Sequence, residues 1–229
     1  MKKKPLIIFD CDGVLVDSEA IECRVFSEHL QQLGLAYPLE RCRREFSGLS
    51  LSSCQSLIEK STEKKLPSDF FHTLQAATFA QFTKELLPVA GIEDVLNFLD
   101  AAEIDYCVAS SGDHEKMHCT LGHTGLLVSF NQHIYSANEV AYGKPAPDLF
   151  LYAARQENYL PEQCIVIEDS VHGVQAALAA KMRVCAYGKQ HITTDRATAF
   201  THMSKLPAIL AQCWARQTHA LTHDRSDQC

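Results

Sequence analysis

Asp10 and Asp12 stand two residues apart in the stretch Asp10-Cys11-Asp12-Gly13-Val14-Leu15-Val16-Asp17-Ser18, directly after the apolar run Leu6-Ile7-Ile8-Phe9. Two carboxylates so spaced at the end of a strand can divide labour. Asp10 can attack phosphorus and carry the phosphoryl group as an acyl phosphate. Asp12 can protonate the leaving oxygen and later deprotonate the water that hydrolyses the intermediate. Gly13 lets the backbone turn tightly beside an anion. An isolated Asp-x-Asp is a weak signal; the extended DxDGVLVDS after a buried strand is a specific one.

Three further clusters carry compatible chemistry. Ser110, with Ser111 beside it, follows Tyr106-Cys107-Val108-Ala109 and offers a hydroxyl and backbone N–H groups to phosphate oxygens. Lys144, in Gly143-Lys144-Pro145-Ala146-Pro147-Asp148, is a point charge suited to a phosphoryl oxygen, and it would keep Asp10 ionised. Glu168-Asp169-Ser170 follows the apolar run Cys164-Ile165-Val166-Ile167. Mg²⁺ takes a few carboxylates plus water and a substrate oxygen. Asp10, the backbone carbonyl of Asp12 and Asp169 are the expected protein ligands, with Glu168 as an alternative ligand or an outer support.

Each cluster needs an element to position it. The stretches at 6–9, 106–109, 132–135, 164–167 and 183–187 read as strands, and the apolar runs at 6–9 and 164–167 suit strands buried on both faces as in a parallel sheet. Helical patterns at 91–100, from Asp113 or His114, at 148–158 and at 171–181 alternate with them. That alternation predicts an α/β fold with a doubly wound, Rossmann-like parallel sheet. Ligands in such sheets bind outside the carboxyl ends of the strands, so the four clusters are expected to converge there. Residues 18–86 show no strand signal, and their apolar spacing predicts an inserted all-helical unit. The expected organisation is a core of 1–17 and 87–215, a helical cap of 18–86 and a polar tail of 216–229.

Composition sets limits. The chain has 229 residues, 46% hydrophobic and 21% charged, ordinary values for a chain that buries a core. Its net charge of −7 disfavours a nucleic-acid partner. Ten cysteines occur without a CxxC pair, which favours reduced, buried thiols over a zinc site or a disulfide framework. After Lys2-Lys3-Lys4 the apolar run ends at Asp10, too short for an export signal, and no run approaches a membrane span. A cytoplasmic monomer without a membrane partner is expected. The eleven histidines show no metal-ligand spacing.

DxDGVLVDS, the strand-end Ser110, GKPxPD and EDS, in that chain order, resemble the haloacid dehalogenase superfamily. The resemblance implies a Rossmann-like core, a helical cap inserted after the first motif, Mg²⁺ and aspartyl-phosphate chemistry. Asp at position 12 favours phosphoryl transfer over carbon–halogen cleavage. Within the superfamily the chain is similar to the sugar-phosphate phosphatases and β-phosphoglucomutases. Glu22 stands where the mutases carry a histidine, which favours hydrolysis over rearrangement. Similarity at Asp10–Glu19, at Lys116-Met117-His118 and from Thr201-His202 to Leu206-Pro207 points toward the bacterial 6-phosphogluconate phosphatases. The resemblance places a substrate-facing cap loop at Ser47-Gly48-Leu49-Ser50, with Gly48 and Ser50 the expected contacts. Among Arg41, Arg43 and Arg44, Arg44 is the expected partner of a substrate carboxylate. The expected activity is Mg²⁺-dependent hydrolysis of a small phosphorylated metabolite. The rivals are a phosphomutase of the β-phosphoglucomutase type, a catalytically silent phosphate-binding regulator, and a receiver domain; the intact set Asp10, Asp12, Lys144 and Asp169 argues against a silent protein.

Overall fold

The computed structural model describes residues 4–46, 51–188 and 194–223. The chain divides into two compact units, residues 1–16 with 88–229, and residues 17–87. In chain order the elements begin with β1 (Leu6–Phe9) and then four helices, α1 (Glu19–Gln32), α2 (Leu39–Phe46), α3 (Leu51–Thr62) and α4 (Phe70–Glu85). There follow α5 (Ile92–Ala101), β2 (Tyr106–Ser110), α6 (His114–His123), α7 (Leu127–Phe130), β3 (Ile134–Ser136), α8 (Asp148–Gln156), β4 (Cys164–Glu168), α9 (Val171–Ala179), β5 (Arg183–Tyr187), β6 (Ala197–Phe200) and α10 (Leu206–His223).

The larger unit is built on a six-stranded sheet of order β3-β2-β1-β4-β5-β6. Every pairing is parallel. β1 is central, with Phe9 level with Val108 of β2 on one side and Ile167 of β4 on the other. Its four residues Leu-Ile-Ile-Phe are fully buried, as a strand covered on both faces requires. One face packs against Leu149, Phe150, Ala153 and Ala154 of α8 and Val174, Ala176 and Ala177 of α9. The chain order reverses direction at β1, between β2 and β4, so the carboxyl ends of these strands open onto the switch point.

Helices are the regular elements of the smaller unit among its described residues. Phe26 of α1 meets Phe46 of α2 and Phe70 of α4, with ring centroids 5.0 and 6.0 Å apart. Leu30, Ile58 and Phe82 are fully buried with them.

Several element ends, those of β2, α8, β4 and α9 among them, shift by one or two residues from the sequence expectation, and three further departures bear on the fold. β3 sits at 134–136 rather than 132–135. β6 is an additional strand, Ala-Thr-Ala-Phe, whose first three residues are not buried. As an edge strand it has no second neighbour to demand an apolar run, which is why patterning gives no sign of it. α10 continues to His223, so more than half of the stretch read as a polar tail from 216 is helical.

Candidate active site

Asp10 is the first residue beyond β1, and its N–H donates to the Ile167 carbonyl of β4 at 2.9 Å. This backbone bond ties the carboxylate to the β1–β4 junction. The Lys144 amine donates to Asp10 Oδ1 at 2.6 Å and to Glu168 Oε2 at 2.7 Å. Lys144 comes from the loop before α8, where Pro145 and Pro147 oppose helix, and its side chain is only 5% exposed. Glu168 ends β4 and is fully buried. Its Oε1 accepts from the N–H groups of Asp169 and Ser170 at 3.0 and 2.9 Å. Both carboxylate oxygens of Glu168 are thus engaged, one by the lysine and one by the backbone.

Close approach explains two glycines. A Cβ on Gly13 would lie 2.0 Å from Asp169 Oδ2, and Gly13 has a φ of +78°. A Cβ on Gly173, in the first turn of α9, would lie 1.8 Å from Glu168 Oε2. Ser170 caps α9 by accepting from the Gly173 N–H at 3.0 Å, which fixes that turn against the carboxylate.

Asp12 points its Oδ2 at the Lys116 amine, 2.9 Å away. Ser110 is buried at the end of β2, and its Oγ accepts from the Gly112 N–H at 3.1 Å. A Cβ on Gly112 would lie 3.4 Å from Ser110 Oγ and 3.9 Å from Asp12 Oδ2, so the ends of β1 and β2 meet there. Ser111 is exposed beside them.

Electrostatics follow from the crowding of carboxylates. Burial, then Glu168, pushes Asp10 up from 3.8 to about 7, against the pull of Lys144. Burial, then Asp10 and Glu168, pushes Asp169 up to about 9. Burial opposes ionisation of Glu168 as well, but Lys144 and the Ser170 N–H outweigh it and hold Glu168 below its ordinary value. Asp10 and Glu168 likewise outweigh burial at Lys144 and hold it above the usual lysine range.

Carboxylate oxygens of Asp10, Glu168 and Asp169 all lie within 4.8 Å of one another. Three oxygen donors, two of them pushed toward protonation by burial and then by their neighbouring carboxylates, form a set that suits a hard divalent cation. Among them Asp10 and Asp169 are the better candidates, because Glu168 already serves Lys144 and two backbone amides.

The structure therefore gathers Asp10, Asp12, Ser110, Lys144, Glu168 and Asp169 within the larger unit. Gly48 and Ser50 lie outside the described residues. Arg44 belongs to the helical unit, where its side chain is 71% exposed and pairs with Glu45 at 3.2 Å. Arg41 lies over the Tyr37 ring and also pairs with Glu45, and Arg43 pairs with Glu40. Sequence reasoning did not single out Lys116 as a site residue. A lysine in the first turn of a helix carries no signal that its amine turns inward.

This parallel sheet with an acidic cluster at its carboxyl edge is that of the haloacid dehalogenase-like hydrolases, and the chain belongs to that family, whose model matches residues 7–187. It is 31% identical to the 6-phosphogluconate phosphatase of Escherichia coli K12, over 91% of this chain and 96% of that one. A hydrolase of the family from Deinococcus radiodurans, solved with bound phosphate and sodium, superposes with a TM-score of 0.75 at 31% identity, over 92% of this chain and 96% of that one. A β-phosphoglucomutase from Clostridium difficile shares the fold with a TM-score of 0.77 at 21% identity, over 93% of this chain and 98% of that one.

Proposed function

We propose that this chain is a phosphoric monoester hydrolase that acts on small sugar phosphates through an aspartyl phosphate at Asp10. The observation that carries the reading is the Lys144 amine held between Asp10 and Glu168 at the carboxyl end of the central strand. Lys144 is assigned to the phosphoryl oxygens beside the attacking carboxylate, which its bond to Asp10 supports. Ser110 and Ser111 with their loop N–H groups are assigned to the remaining oxygens. Asp10 attacks phosphorus in line while Asp12 gives a proton to the leaving oxygen; Asp12 then takes a proton from the water that cleaves the acyl phosphate. Mg²⁺ held by Asp10, Asp169 and the Asp12 carbonyl would supply positive charge against the phosphate. Most of the acceleration is expected from positioning and charge stabilisation.

The substrate we assign is 6-phosphogluconate, supported by the name of the Escherichia coli relative and its near-complete coverage. Gly48, Ser50 and Arg44 are proposed to set specificity, with Arg44 the partner of the sugar-acid carboxylate. Nine cysteines among the described residues are thiols outside any disulfide, which supports a reducing, cytoplasmic setting. No helix among the described residues is long and apolar enough to cross a membrane. We take the protein to act as a monomer.

The test is phosphate release from a panel of sugar phosphates and 6-phosphogluconate, with and without EDTA. The expected result is turnover that EDTA abolishes and Mg²⁺ restores, with 6-phosphogluconate preferred. Asp10→Asn is expected to fold normally and to lose at least ~10³-fold in kcat. Near wild-type turnover in that variant would refute the nucleophile assignment.

A further inference from the structure

The loop that carries Asp10 and Asp12 is gripped by a helix from another part of the chain. Lys116 and Thr120 lie one turn apart on α6 and therefore share a face. Lys116 Nζ donates to Asp12 Oδ2 at 2.9 Å, and Thr120 Oγ1 lies 3.8 Å from Cys11 Sγ. Two consecutive loop residues thus meet two consecutive positions of one helical face. The grip is built from several parts. Asp113 caps α6 by accepting the Lys116 N–H at 2.7 Å, which fixes the backbone from which the lysine reaches. The lysine stem runs beside Gly112, where a Cβ would make ordinary contact with Lys116 Cδ at 3.4 Å. The Lys116 and Asp12 side chains are 21% and 27% exposed, so the pair is largely shielded from water.

We propose that Lys116 is a positioning residue for the Asp12 carboxylate. The inference rests on the reading of Asp12 as the acid–base group. Lys144 already serves Asp10 and Glu168 on the β4 side of the site. Lys116 gives Asp12 a cation of its own on the β2 side. Held there, the Asp12 carboxylate keeps one orientation toward the leaving group and the attacking water. Lys116 acts on turnover through Asp12 and not by binding the phosphate ester.

The experiment compares Lys116→Met and Lys116→Arg with the wild type in the full chain, by steady-state kinetics on the best ester of the panel and by crystal structures. Lys116→Met is expected to lower kcat by about 30- to 100-fold, the scale of a misplaced catalytic group, with KM within about twofold of wild type. Lys116→Arg, which keeps a cation at the carboxylate, is expected to recover most of that loss. In the Lys116→Met structure the Asp12 carboxylate is expected to leave its present orientation. A raised KM with kcat preserved would overturn the proposal in favour of direct substrate contact, and so would an Asp12 carboxylate that stays in place. If the wild type releases phosphate from no ester, the phosphatase reading falls, while the Asp12 orientation in the variant structure still decides what Lys116 does.

Discussion

At the scale of single residues, the site is a problem in packing carboxylates without letting them disperse. Glu168 is the hinge of the solution. It takes no part in the proposed chemistry, yet it holds the Lys144 amine at 2.7 Å and is itself held by two backbone amides. Gly173→Ala puts a methyl 1.8 Å from its Oε2, so the carboxylate or the start of α9 must move. The expected outcome is a loss of about 1–3 kcal/mol in denaturant unfolding and at least ~10-fold in kcat, because the lysine loses one of its two anchors. A stable variant with full turnover would show that Glu168 is dispensable to Lys144. Most of these residues were legible in the sequence because each follows an apolar run that only a buried strand explains. What the sequence withheld was pairing. Nothing in the letters says that Lys144 bridges Asp10 and Glu168, or that Lys116 reaches Asp12 across 104 positions.

At the scale of elements, helix starts matter as much as strand ends. Ser170 caps α9 beside Glu168, and Asp113 caps α6 beside Asp12. Removing the cap by Asp113→Ala is expected to cost about 0.5–2 kcal/mol, read as a lower melting temperature. It is also expected to lower kcat more than KM, because α6 carries Lys116. An equal stability loss with unchanged kcat would separate the cap from the site. The strands β1, β2, β4 and β5 stood out in the sequence as short apolar runs. β6 did not, since an edge strand of Ala, Thr, Ala and Phe satisfies only one neighbour and leaves its outer side to water. The end of α10 was also hidden: polar residues from 216 read as a tail, although a helix can be polar on its outer face.

At the scale of the whole molecule, excess negative charge in the core of the larger unit ties stability to pH. Asp10, raised to about 7, and Asp169, raised to about 9, bind protons in the folded chain that the unfolded chain has already released above about pH 4. The folded state binds more protons, so stability falls as pH rises from about 4 through 7 to 9. In EDTA the melting temperature is expected to decline across that window. Asp169→Asn is expected to flatten the decline, and Mg²⁺ is expected to raise the melting temperature more at pH 8 than at pH 6, since the cation competes with protons for the same oxygens. An identical slope in Asp169→Asn would remove these carboxylates as its cause. The division into a helical unit at 17–87 and a sheet-bearing unit that flanks it in the sequence was legible from the absence of strand signals over residues 18–86. Specificity was not legible to the same depth, because it depends on which side chains a substrate's far end would meet.

The central strand has to wait for its partners. β1 pairs with β2 and β4, and Phe9 stands in register with Ile167, roughly 160 positions further on. At the ~5–20 residues per second of synthesis, roughly 8–30 s pass between the two leaving the ribosome. Until β2 emerges Leu6-Ile7-Ile8-Phe9 has no partner, and until β4 emerges one of its edges stays open, the kind of segment that chaperones hold and aggregates recruit. Residues 17–87 emerge complete in the meantime and can fold first. Asp10 is thus translated well before the strand that completes its surroundings, so a chain stalled before β4 would leave one edge of β1 open and the acidic cluster unassembled.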